Sequence, residues 1–278
     1  MFKIIVPTDF TSTSDKALAY AIGLKKTLEA DVFVLHILKK GGNEADAQKQ
    51  LDEQIHRHYV NTAVKAQPIL KVGSIFEDIP ALVEQEKGDL VVMGTHGMKG
   101  LQHLVGSHAL RVITDTKAPF IVVQDNTVIE PRVKKILVPL DLHKETKQKI
   151  KYTADIAEKF KAKVEIIIPN ESDEFLRNQL ERNMAYSEGY FEERGIPYHS
   201  TVAQSKGGSF ADQVVEHAKN SKTDLICILN FANEKLIHAF GSDAEQKVIT
   251  NSAAIPVMVL NPAITNLHNT RSLIAQWG

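Results

Sequence analysis

Three of the glycines between residues 94 and 107, with a serine, stand where a phosphate could be held: Gly94, Gly97, Gly106 and Ser107. Glycine lets backbone amides come close to a ligand because no β-carbon intervenes. Ser107 is a natural N-cap, and residues 108–117 behind it follow a helical pattern with Leu110 and Ile113 on one face. The unpaired amides and the positive dipole end of such a helix attract an anion. The chemistry is electrostatic capture of phosphate, without bond-making. Neither the P-loop nor the dinucleotide pattern fits these residues.

Strands must carry this loop. After Asp89, residues 90–93 form a short, continuously apolar run, as expected of a strand buried on both faces, and Pro119 opens a second such run over 120–123 that ends at Gln124. Upstream, residues 3–10 read as a strand with a polar tip at Asp9, followed by several N-cap types at 11–15. The helix after them carries Ala17, Leu18, Ala21, Ile22 and Leu28 near one face. A β-branched run at 31–38 follows, then a loop at 39–43. Next comes an exposed amphipathic helix over 44–64, with Leu51, Ile55 and Tyr59 spaced for one face. Residues 68–72 read as a third strand. Gly73-Ser74 then opens a helix bearing Ile75, Ile79, Leu82 and Val83 that stops at Gly88. Strict alternation of strand and helix predicts a parallel sheet with helices on both faces and right-handed crossovers. Ligands in such sheets sit at the carboxyl ends of the strands, where strand order reverses.

The pattern then repeats. Pro139 and Asp141 answer Pro7 and Asp9, Gly208-Ser209 answers Gly73-Ser74, residues 224–227 answer 89–92, Gly241-Ser242 answers Gly106-Ser107, and Pro256 answers Pro119. The offset drifts only from 132 to 137, so the repeat is domain-sized. With 278 residues the chain has room for two domains, at 1–125 and 133–262. A linker spans 126–132, and a tail at 263–278 holds the single tryptophan, Trp277. The copies differ at the loop: Leu229-Asn230-Phe231-Ala232 stands where the first has Gly94-Thr95-His96-Gly97. Side chains there would crowd a phosphate or ribose, so the second site reads as degenerate.

At these residues the chain resembles the universal stress protein family. Gly94-x2-Gly97 and Gly106-Ser107 match the motif of its nucleotide-binding members, with eight residues between Gly97 and Gly106 where the family pattern has nine. The resemblance implies two tandem α/β doubly wound domains, each a five-stranded parallel sheet of order 3-2-1-4-5. It implies that ATP, with Mg, or AMP binds the first half as a regulatory, stress-response ligand. Pro7 and Ile37 would flank the base, and Thr8 and Asp9 would face ribose or adenine. Gly94, His96 and Gly97 would border the crevice, and Gly106, Ser107 and His108 would meet the phosphates. Single-domain members pair at their fifth strand, so the two proline-opened strands of this chain are expected to form an internal pseudo-dimer. A homodimer and a protein partner would use other surfaces.

Composition narrows the rest. A net charge of −1 argues against a protein that coats nucleic acid or a polybasic membrane binder. No apolar segment is long enough to span a bilayer, and the one cysteine, Cys227, suits a reducing cytoplasm. Cys227 falls within an apolar run and reads as an inert buried thiol, and His36 reads as a satisfied core histidine. His96 and His103 have no metal-ligand spacing. Lys99 and Arg111 read as solvated surface. No nucleophile elbow, paired carboxylate or general base is visible, so hydrolysis of ATP would be slow at most. The other reading is a ligand-free scaffold acting through its dimer surfaces.

Overall fold

The computed structural model describes residues 1–95, 111–129, 133–142, 146–204, 207–229 and 242–261. The chain divides into two compact units, Met1–Pro131 and Arg132–Gly278.

In the first unit, β1 (Phe2–Thr8), β2 (Ala30–Leu38), β3 (Gln67–Val72), β4 (Leu90–Gly94) and β5 (Phe120–Val123) form a parallel sheet in the order β3-β2-β1-β4-β5. The central strands are buried almost throughout, because helices cover both faces of a parallel sheet. Helix α1 (Ser12–Leu28) buries the predicted face, Ala17, Leu18, Ala21, Ile22 and Leu28. Its N-cap is Thr11, whose hydroxyl accepts from the Ser14 amide. Helix α3 (Ile75–Glu86) buries Ile79, Leu82 and Val83 while Ile75 stays exposed, and Ser74 caps it. Residues 111–115 are helical, with Val112 and Ile113 buried.

Helix α2 (Glu44–Thr62) departs from expectation. Its buried residues are Ala47, Leu51 and Gln54, whereas Ile55 is half-buried and Tyr59 is 41% exposed. The buried stripe is rotated from the predicted one because Gln54 is satisfied inside the protein. Its Oε1 accepts from the Thr8 hydroxyl (2.9 Å) and its Nε2 donates to Asp15 (3.0 Å). A buried amide with both ends bonded costs little, so it can hold a core position.

The second unit repeats the design. Strands β6 (Lys135–Pro139), β7 (Lys163–Ile168), β8 (Tyr198–Val202), β9 (Leu225–Leu229) and β10 (Val257–Leu260) are parallel in the order β10-β9-β6-β7-β8. Numbered within each unit, both sheets read 3-2-1-4-5, as the resemblance implied. Helices α4 (Thr146–Phe160), α5 (Glu174–Glu193), α6 (Phe210–Asn220) and α7 (Ser242–Ile249) lie in the connections. The tail beyond residue 262, with Trp277, lies outside the described residues.

Candidate functional site

Strands β1 and β4 are hydrogen-bonded neighbours, with Ile4 opposite Leu90. Asp9, one residue past β1, and Gly94, the last residue of β4, therefore stand at the carboxyl end of adjacent strands. This is the point where strand order reverses, and where α/β sheets open a crevice.

Several bonds fix the β1 end. The buried Thr8 hydroxyl donates to Gln54 and accepts from the Phe10 amide (3.1 Å). Asp9 is exposed, and its Oδ1 accepts both the Thr11 amide (3.1 Å) and the Thr11 hydroxyl (2.6 Å). Partial burial pushes the Asp9 carboxyl up, but the Thr11 and Ser14 bonds outweigh it and hold it below its ordinary value. The group is an anion at neutral pH. Phe10 then takes φ 64°, a left-handed conformation that disfavours a side chain by about 1–2 kcal/mol. Its ring stacks on His36, 4.3 Å between centroids and 28° between planes. His36 Nδ1 is 2.8 Å from the Thr8 carbonyl. His36 is half-buried and faces this turn, so it is more than the core histidine the sequence suggested.

Below this turn, Asp15 gathers donors from α2. His58 Nε2 (3.1 Å), Gln54 Nε2 (3.0 Å) and Arg57 (3.3 Å) all meet its Oδ1. The His58 bond, against some burial and with Gln54 and Arg57, lowers the Asp15 carboxyl to about 2. Helix α2 is thus tied to the first turn of α1.

Gly94 has a reason for lacking a side chain. A β-carbon built there would lie 2.5 Å from the Thr13 carbonyl oxygen of α1 and 2.9 Å from the Thr13 methyl. The Thr13 hydroxyl donates to Asp125 just past β5, and Ser12 reaches the same carboxylate (3.4 Å). The glycine lets the start of α1 lie directly on the end of β4.

Of the residues read as a site, Pro7, Thr8, Asp9, Ile37 and Gly94 are described. Pro7, Thr8, Asp9 and Gly94 converge at the ends of β1 and β4, and the half-buried Ile37 lies near the end of β2. His96, Gly97, Gly106, Ser107 and His108 lie outside the described residues, as do Lys99 and His103. Arg111 lies over the Phe76 ring at 4.6 Å and 3.9 Å from Asp115, on the exposed surface.

The second unit fills the equivalent place. Asp141 is 2% exposed where Asp9 is exposed. Asn183 on α5 donates to the Asp141 carbonyl (2.9 Å) and Gln179 to the Leu142 carbonyl (3.2 Å). Lys149, at the position of Ala17, is fully buried and its ammonium donates to the Pro139 carbonyl. Burial pushes the Lys149 ammonium down, opposed by the charge of Asp141 and then Cys227. Cys227 is buried, and desolvation raises its thiol to about 11, against the Thr153 bond and Lys149, so it is unreactive. Leu229 closes β9 with 1% exposure. Beside the positive-φ turn at Gly207-Gly208, Ser209 is taken up within the protein. The Ser209 amide (2.9 Å) and hydroxyl (2.8 Å) both bond the Asp212 carboxylate, closing a capping box in which Ser209 is the N-cap of α6.

Sequence reading missed Gln54, Asp15, Asp125 and Lys149. A lysine within the buried register of α4, one and four residues ahead of the buried Ile150 and Thr153, was the visible signal for Lys149.

The sequence model of the universal stress protein family matches residues 1–124. Two universal stress proteins of Methanocaldococcus jannaschii are similar to the chain. One is 30% identical over 140 residues, covering 44% of this chain and 81% of the relative. The other is 26% identical over 152 residues, covering 44% of this chain and 94% of the relative. In fold, a universal stress protein from Archaeoglobus fulgidus DSM 4304 superposes with a TM-score of 0.69 at 20% identity, over 94% of this chain and 98% of its own.

Proposed function

The chain belongs to the universal stress protein family, and on that premise we propose that its first unit binds an adenine nucleotide, ATP or AMP, as a regulatory module. The observation that carries this reading is the exposed, ionised Asp9 carboxylate, held in a fully bonded turn beside the Gly94 end of β4. A rigid acceptor at a strand-order reversal suits ribose hydroxyls. Pro7 and Ile37 supply apolar surface for the base. The phosphates, with Mg when the ligand is ATP, are assigned in this reading to the amides of Gly97, Gly106 and Ser107 and to His96 and His108. The second unit binds none, because Lys149, Asp141 and Leu229 fill its crevice. The Asp9 carboxylate is engaged by Thr11 and assigned here to ribose, not to an attacking water, so the module senses nucleotide and turns it over slowly at most. It works in the cytoplasm and can pair as a homodimer.

Two measurements test this. Mass spectrometry of ligand released from protein purified without added nucleotide should find ATP or AMP, and calorimetry should find one site per chain. Two equivalent sites would refute the assignment to one unit.

The second reading, a ligand-free scaffold, is favoured by Gly94 itself, whose missing side chain is explained by Thr13 alone. Empty protein that also fails to take up ATP or AMP would select it.

A further inference from the structure

Resting on the nucleotide reading above, we propose that His36 is the positioning residue of the site. It holds the chain on both sides of Asp9, the backbone of the residue before through a hydrogen bond and the side chain of the residue after through a ring stack.

The Thr8 carbonyl can only accept, so Nδ1, at 2.8 Å, must carry the proton. In the neutral ring this fixes the Nδ1–H tautomer and leaves Nε2 an acceptor. Across Asp9, the Phe10 ring lies on the imidazole at 4.3 Å. Phe10 holds φ 64°, and a bulky residue stays left-handed only where its surroundings over-determine it. The stack and the bond from the Phe10 amide to Thr8 Oγ1 do so. Both rings are only half-buried, so burial alone does not hold them. The turn they frame sets Thr11 against Asp9.

The second unit supplies the contrast. Pro7 pairs with Leu35 and Pro139 with Ile167, so Ile168 is the counterpart of His36 and Leu142 of Phe10. The copy whose aspartate is buried lacks both members of the pair.

Three versions of the full chain test the proposal: wild type, His36→Phe, which keeps a ring and loses the donor, and His36→Asn, which keeps a donor and loses the ring. Imidazole 15N shifts at pH 8 should show His36 as Nδ1–H; an Nε2–H tautomer overturns the proposal. The Asp9 carboxyl, followed by 13C NMR, should titrate higher in both variants, and an unchanged titration overturns it. ATP and AMP, measured by calorimetry, should bind His36→Phe at least tenfold more weakly. Binding equal to wild type also overturns it. Wild type that binds neither nucleotide defeats the functional reading alone, since the tautomer and the Asp9 titration still decide whether His36 positions the turn. If His36→Phe does not fold, His36→Asn and the wild-type tautomer decide.

Discussion

A β-carbon at Gly94 would sit 2.5 Å from the carbonyl oxygen of Thr13, closer than any real contact of that kind. That oxygen belongs to the first turn of α1, whose Thr13 hydroxyl is bonded to Asp125, so it cannot swing aside like a flexible side chain. Gly94→Ala should therefore destabilise the first unit by roughly 1–3 kcal/mol, with or without nucleotide. Denaturant unfolding measures this. A loss of nucleotide affinity with stability unchanged would give Gly94 a ligand role instead.

Asp15 makes stability depend on pH. Its folded carboxyl is lowered to about 2 from an ordinary 3.8, so its contribution is present above the ordinary value and is lost as pH falls towards 2. The full shift would correspond to about 2.4 kcal/mol. The side chain is 36% exposed, so screening reduces this to about 1 kcal/mol. Asp15→Asn should cost that much at pH 7, and the gap to wild type should close between about pH 4 and pH 2. A gap that persists at pH 2 would mean the loss is one of packing.

Lys149 contributes in the opposite sense. Its folded ammonium is lowered from an ordinary 10.5, so the unfolded chain binds more protons and wild-type stability rises as pH climbs from the folded value towards 10.5. Lys149→Met removes that slope. It also leaves the Pro139 carbonyl without this donor and Asp141 without a nearby cation, costing about 1–3 kcal/mol at pH 7. Paired urea titrations at pH 7 and pH 10 should show the difference between the proteins widening at the higher pH.

Much of the fold could be read in advance because parallel strands are self-announcing. Val91 and Val92, Ile121 to Val123, and Ile226 with Cys227 are apolar on both sides, and α1 shows its buried face in Ala17, Leu18, Ala21 and Ile22. Strand order came instead from the family resemblance, because nothing in apolar periodicity ranks neighbours. What escaped notice depends on partners distant in sequence. Gln54 looks like a surface residue until Thr8 and Asp15 are beside it, and Gly94 looks like a ligand glycine until Thr13 lies on it. His36 looked like core because its strand is apolar, and its bond runs to a carbonyl that no sequence pattern marks. The structure places Asp9 and Gly94 at the ends of neighbouring strands, as the resemblance implied, while the phosphate-side residues, Gly97, Gly106 and Ser107, lie outside what it describes.

The contrast between exposed Asp9 and Asp141 at 2% exposure also divides the two copies by their access to bulk water. In deuterated buffer the peptide around Asp9 meets solvent at its carboxylate, whereas the peptide around Asp141 is roofed by Asn183 and Gln179 and floored by Lys149. The duplicated segment has become a wet copy and a dry copy. Only the wet one has a hydration shell to surrender, and a ligand that must displace water to bind has that choice of one.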